Sequence, residues 1–265
     1  MLLNKKRKVT TTSTKQTAVL LITAATVIAT ILLLGTFGAR ALALVSTGTN
    51  SNDTLKGTQS GDDTLYGEGG NDYIYGYAGD DILYGGRGSD HIYGSYGDDR
   101  IYAWTGSNVV SGGPGNDYIR ATGDPEGDDC CDGASNEITG GSGNDDILTV
   151  DASGILHGNS GNDRIELGGE ATGTIYGDGD DDQLYITTDI GGTAYGGFGD
   201  DILYSQFGGL LDGGVGDDNL KADNDSVILI GGQGADRFTC TEGAEEDIQD
   251  YNPAEGDIIE NSELC

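Results

Sequence analysis

GEGGNDYIY (67–75), GYAGDDILY (76–84), GGRGSDHIY (85–93) and GSYGDDRIY (94–102) follow one another without a gap. Each places glycine at positions 1 and 4, aspartate at position 6 and an aliphatic residue at position 8. Further copies in the same pattern are GGPGNDYIR (112–120), GGSGNDDIL (140–148), GNSGNDRIE (158–166), GGFGDDILY (196–204), GGVGDDNLK (213–221) and GGQGADRFT (231–239). Position 8 is held by Leu65, Ile74, Leu83, Ile92, Ile101, Val110, Ile119, Ile147, Ile165, Leu184, Leu203, Leu220 and Phe238. In a three-residue strand, alternation turns this one side chain inward and its neighbours outward. One apolar residue per strand builds only a thin core, which grows by stacking further coils.

Positions 1 to 6 form the turns. Glycine permits positive φ and close approach of backbones, which leaves carbonyl oxygens free to point at an ion. Calcium takes six to eight hard oxygen ligands at about 2.3–2.6 Å, and carbonyls plus the position-6 carboxylate are such a set. The candidate ligands are Asp63, Asp72, Asp81, Asp90, Asp99, Asp117, Asp145, Asp163, Asp182, Asp201, Asp218 and Asp236. Aspartate and glycine also form turns without metal. That alone does not explain like charges recurring at stacked positions, where bare carboxylates repel.

The pattern G-G-x-G-x-D-x-U-x resembles that of the RTX (repeats-in-toxin), or hemolysin-type, calcium-binding nonapeptide family, over roughly residues 48–239. The resemblance implies an all-β chain folded as a parallel β-roll, a right-handed β-helix-like solenoid binding several calcium ions. Two turns close one coil in such a roll, so aspartates of one edge recur about every eighteen residues. Asp63, Asp81, Asp99 and Asp117 then share one edge, with Asp72 and Asp90 on the other, which weakens at Asn108. After residue 140 the full motif appears once per coil, with spacings of 18, 19, 19, 17 and 18 from Asp145 to Asp236. The intervening segments keep Leu156, Ile175, Ala194, Leu211 and Leu229 at the strand centre but lose the aspartate. Calcium is therefore expected on both edges early and chiefly one edge late. Residues 121–135 break the register and leave open whether the late edge continues the early one.

Composition agrees with a repeat that cannot build an ordinary core: glycine supplies 48 residues, phenylalanine 4 and methionine 1. Asp and Glu total 45 against 13 Lys and Arg, a net charge of −32. Lys5, Lys6, Arg7, Lys8, Lys15 and Arg40 precede residue 44, where no acid occurs, so the rest carries −38. Such a body repels phosphate backbones and disfavours nucleic acid. It also repels itself, so cations must complete the fold.

Residues 1–43 differ in kind: a basic patch precedes an uncharged run from Gln16 to Ala39, and Ala41-Leu42-Ala43 has the A-x-A form of a signal-peptidase site. Two readings stand: a cleaved secretory signal, or an uncleaved helical anchor in which only residues 16–39 meet the membrane. Both place the acidic body outside the cell, secreted or tethered to its surface. Cys130, Cys131, Cys240 and Cys265 suit an oxidising exterior, and a Cys240–Cys265 bridge is the preferred pairing. The domains expected are thus a signal or anchor (1–43), the β-roll (44–239) and a capping segment (240–265). Ile248, Tyr251, Ile258 and Ile259 are expected to cover the last coil.

Tyr66, Tyr75, Tyr84, Tyr93 and Tyr102 fall at outward position 9. A carbohydrate-binding strip competes there with plain stacking on a strand surface, and stacking is the preferred reading. Catalytic signatures are missing: neither His91 nor His157 lies in H-E-x-x-H, and no G-x-S-x-G occurs. About a dozen residues separate the export segment from the first turn, too few for a catalytic domain. The chain is therefore read as a non-enzymatic, structural or adhesive protein of the cell surface. The alternatives are a secreted accessory module and, behind it, an RTX-bearing hydrolase or polysaccharide-modifying enzyme.

Overall fold

The computed structural model describes residues 20–23, 42–122, 134–151, 153–170, 172–223, 226–239 and 247–260. Within them the chain is a parallel β-solenoid of about 11 turns with no helix. Each coil contributes one strand to each of two sheets. The first sheet has 13 strands and begins Leu20–Thr23, Leu44–Thr47, Thr64–Tyr66; the second has 11 and runs from Thr54–Lys56 to Asp247–Ile248. Every described pairing is parallel and joins residues one coil apart, as in Leu65↔Leu83, Leu83↔Ile101 and Ile74↔Ile92. Two turn edges therefore run the length of the molecule, and we call them the first edge (entering the first sheet) and the second edge (entering the second sheet).

The position-8 residues form the core. Leu65, Leu83, Ile101, Ile119, Ile147, Ile165, Leu184, Leu203, Leu220 and Phe238 of the first sheet are all 0% exposed, as are Ile74, Ile92, Ile138, Leu156 and Ile175 of the second. In a core only one or two inward side chains wide per strand, little else can fill the place of any one of them. Ile165→Ala should cost about 2–5 kcal/mol, the usual range for emptying a packed site. Ile155→Ala, at a position 48% exposed, should stay within about 1 kcal/mol. Urea unfolding of both variants in saturating calcium checks the contrast, and equal losses would refute it.

The register break proves to be an insertion. Val110 pairs with Ile138, and Ile138 with Leu156, so the second sheet continues across it. Residues 123–133 lie outside the described residues. Beyond this point the coil changes. First-sheet strands lengthen and add a second inward row, Ala121, Thr149, Leu167, Ile186, Ser205 and Ala222, all 0–1% exposed. Opposite it the second sheet carries glycines that make room: a Cβ on Gly173 would lie 3.0 Å from Leu167 Cδ2. The late second edge is thus closed by packed side chains.

Two expectations need correction. Of the run expected to form a signal or anchor helix, only 20–23 are described, and they form a strand paired with Leu44–Thr47. Ile22 and Thr23 are β-branched, and Leu44–Thr47 offers an open sheet edge of unpaired N–H and C=O groups. The rest of that run lies outside the described residues, as do all four cysteines and therefore the Cys240–Cys265 bridge. Among the described residues no helix is long and apolar enough to cross a membrane. At the other end Ile248 and Ile259 pack against the core as expected. Tyr251 and Ile258 do not: they are 43% and 42% exposed. Ile258 neighbours Ile259 on one strand, so alternation sends it outward.

Candidate metal centre

The turns of the eleven aspartates from Asp72 to Asp236 are shaped by left-handed residues at positions 2 and 4. Position 4 is glycine in all of them but one, where Asp180 stands at φ +74°; at Gly88, φ +129°, an added Cβ would collide with the Gly70 carbonyl of the preceding coil. Position 2 is left-handed even without glycine, at Glu68, Tyr77, Ser95, Trp104, Asn159 and Asp178. At position 1 a Cβ would fill a cradle: on Gly85 it would lie 2.6 Å from Asp90 Oδ2 and 2.8 Å from the Ala103 carbonyl of the next coil. Each turn therefore gathers backbone carbonyls and one oxygen of its own aspartate around a small space.

The aspartates form two ladders. On the first edge the Asp63 N–H donates to Asp81 Oδ1 (2.7 Å), Asp81 to Asp99, Asp99 to Asp117, and so on. The Asp117 N–H donates to Asp145 Oδ1 at 2.7 Å across the insertion. The file then runs through Asp163, Asp182, Asp201, Asp218 and Asp236 to Asp257. The late edge is therefore the early Asp63 edge continued, which settles the question left by the register break. On the second edge Asp53 donates to Asp72, Asp72 to Asp90 and Asp90 to Asn108, and Asn108 to Asn136, where the described ladder stops.

Only Oδ1 is used in these bonds. The Oδ2 atoms of Asp72, Asp81, Asp90, Asp99, Asp117, Asp145, Asp163, Asp182, Asp201, Asp218 and Asp236 are buried and accept no hydrogen bond. A buried unpartnered acceptor costs about 1–3 kcal/mol, and more when charged. The ladder ends differ. Asp63 Oδ2 accepts the Thr58 N–H, Asp53 Oδ2 accepts the Thr49 N–H at 2.6 Å, and Asp257 Oδ2 accepts the Asn252 N–H at 2.6 Å. Asp63, read from the sequence as equivalent to the other eleven candidates, is thus already satisfied by backbone. Asp53 and Asp257 are ladder members that the repeat pattern did not single out.

The electrostatics match this geometry. Burial, opposed by the backbone N–H bond and reinforced by neighbouring aspartates, pushes Asp81, Asp99, Asp117 and Asp145 up to about 7. Asp201 and Asp218 are likewise raised to about 7, Asp90 and Asp163 to about 6, and Asp182 to about 8. These are carboxylates held where their charge is unwelcome unless a cation joins them. Among the described residues no three His, Cys, Asp or Glu side chains converge, so a bound cation would lean on carbonyls plus one carboxylate per turn. Hard oxygen donors without nitrogen or sulfur fit calcium far better than zinc or copper.

A third ladder escaped the sequence reading. Position 5 bonds in the opposite sense: the Asp98 N–H donates to Asp80 Oδ1, Asn116 to Asp98, Asn144 to Asn116 and Asn162 to Asn144. These residues are solvent-facing and tie coils together without metal. Tyrosines stack as the plainer reading requires, Tyr66 on Tyr84 at 4.7 Å and 1°, and Tyr84 on Tyr102 at 5.0 Å. Their faces cover one another.

A family model for the RTX calcium-binding nonapeptide repeat matches residues 47–83, 58–92, 84–119, 193–209 and 212–243. No individual curated protein matches the chain.

Proposed function

Because this chain carries the RTX calcium-binding nonapeptide repeat, we propose that it is an exported protein whose solenoid folds on calcium and then serves as a structural or adhesive element at the cell surface. The observation that carries the calcium step is the file of buried Oδ2 atoms, which lack any donor while Oδ1 of the same carboxylates is fully used. A divalent cation held between coils would neutralise each carboxylate and take the converging carbonyls as further ligands. Asp72, Asp81, Asp90, Asp99, Asp117, Asp145, Asp163, Asp182, Asp201, Asp218 and Asp236 would hold ions in this way. Asp63 would do so only by giving up its bond from Thr58.

The charge balance supports the export step of this reading. A chain with 45 acids and 13 bases stays expanded where free calcium is scarce and can pass a membrane unfolded. In a calcium-rich exterior, binding and folding become one event. The outward surfaces carry stacked tyrosines and ion pairs such as Arg164 with Glu166 at 2.6 Å, which suit a structural surface. Equilibrium dialysis with radioactive calcium, in excess magnesium, tests the metal step. Several ions should bind per chain, and binding of none would overturn it. Fractionation of cells into membrane, surface and medium tests export; retention in the cytoplasm would refute it.

A further inference from the structure

Turn 103–108, Ala-Trp-Thr-Gly-Ser-Asn, stands on the second edge where the repeat would place Gly at position 1 and Asp at position 6. Asn108 is fully buried. Its Oδ1 accepts the Asp90 N–H at 2.9 Å, as an aspartate Oδ1 would. Its other terminal atom is a donor. Nδ2 donates to the carbonyls of Ala103 (3.4 Å), Trp104 (3.3 Å) and Gly106 (3.2 Å), the oxygens of turn positions 1, 2 and 4. Two hydrogens shared among three acceptors account for the length of these bonds. The amide thus does by hydrogen bonding what a cation would do by coordination: it gathers three carbonyl oxygens around one point.

Position 1 supplies a second, independent observation. In the neighbouring aspartate turns a Cβ at this place would collide with both the next coil's carbonyl and the turn's own carboxylate: 2.1 Å from the Gly85 carbonyl and 2.6 Å from Asp72 Oδ2 at Gly67, and 2.6 Å from Asp90 Oδ2 and 2.8 Å from the Ala103 carbonyl at Gly85. Ala103 carries that Cβ, buried and accommodated, and it does so in the turn whose position 6 is an amide. The two departures from the repeat thus stand in one turn, whose Ala103 carbonyl is itself an acceptor of the Asn108 amide.

We propose that Asn108 is a built-in substitute for a calcium ion, which closes turn 103–108 without metal and ends the second-edge ion file at Asp90. The inference rests on the reading that the aspartate turns bind calcium. It places the change from ion-closed to side-chain-closed second edge at one residue. The first coils then need ions on both edges, and the coils after Asn108 need them on the first edge only.

The experiment compares the wild-type full chain with the double variant Ala103→Gly, Asn108→Asp by equilibrium dialysis with calcium alone, and follows Trp104 fluorescence, the chain's only tryptophan, which lies in the turn itself. The double variant should bind about one more ion per chain and require more calcium to fold, with a new Trp104 response accompanying the added ion. Equal stoichiometry in two folded proteins would overturn the proposal. The converse variant Asp90→Asn keeps the test open should the double variant fail to fold. It should bind fewer ions, fold at lower calcium and retain its circular dichroism; failure to fold in saturating calcium would overturn the proposal. A wild-type chain that binds no calcium would instead sink the parent reading, so the two failures are distinct.

Discussion

Chelating calcium at about pH 8 is expected to abolish most of the far-UV β-sheet signal of the full chain, and adding calcium back should restore it steeply. The reason lies in how little else opposes the aspartate file. The core has one buried aliphatic per early strand, so hydrophobic burial per residue is low. Against it stand eleven buried Oδ2 atoms without donors, from Asp72 to Asp236. Even at about 1 kcal/mol each, their combined cost matches the whole net stability of an ordinary domain, about 5–15 kcal/mol. Each bound ion reverses one such cost and adds binding free energy, about 2.7 kcal/mol at a hundredfold excess over its Kd. Steepness follows from topology, since a first-edge aspartate takes its Oδ1 bond from one coil while its turn meets the next. An ion that orders one turn therefore prepares its neighbour. The measurement is circular dichroism against free calcium, with sedimentation velocity for compactness. A folded spectrum unchanged by chelator would refute the expectation, and a shallow single-site titration would refute its cooperative part.

How far the sequence led can be judged residue by residue. The position-8 core from Leu65 to Phe238 and the position-6 aspartates were legible because strand alternation and the nine-residue period act directly on sequence. Ile138 was not: it sits 28 residues after Val110, and no period survives an insertion of that size. The continuity of the first edge was hidden for the same reason, since the bond from Asp117 to Asp145 crosses that gap. Asn108 was visible as a weak aspartate position, but its amide as a donor to three carbonyls depends on where those carbonyls point. Asp63 was indistinguishable from its neighbours because the Thr58 N–H that satisfies it belongs to an irregular first turn. The position-5 ladder looked like turn-forming polarity, and only stacking shows that Asp98, Asn116 and Asn144 bond across coils. Local rules of turn and strand were readable; what one coil does to the next was not.

The same carboxylates predict that acid should partly replace calcium. Burial and facing aspartates raise the folded-state values to about 7 for Asp81, Asp99, Asp117, Asp145, Asp201 and Asp218, about 6 for Asp90 and Asp163, and about 8 for Asp182. The groups facing Asp182 are Asp163, Asp201 and Asp178, and those facing Asp99 are Asp117, Asp80 and Asp98. In the unfolded chain each aspartate returns to about 3.9. Between these limits the calcium-free fold binds more protons than the unfolded chain, so its stability rises as pH falls. The gain is complete below about pH 4 and is lost as pH climbs through the folded values of 6 to 8. Protonation gives each Oδ2 a hydrogen to donate toward the carbonyls around it, as the Asn108 amide already does. In chelator, the β-sheet signal should therefore grow between about pH 8 and about pH 5. In limiting calcium the sign reverses, because protons compete with the ion for the same oxygens and weaken its binding. Parallel circular dichroism series in chelator and in limiting calcium check both halves. A chelated chain whose signal is flat across that range, or rises with pH, would contradict the assignment of these buried aspartates as the switch between the two states.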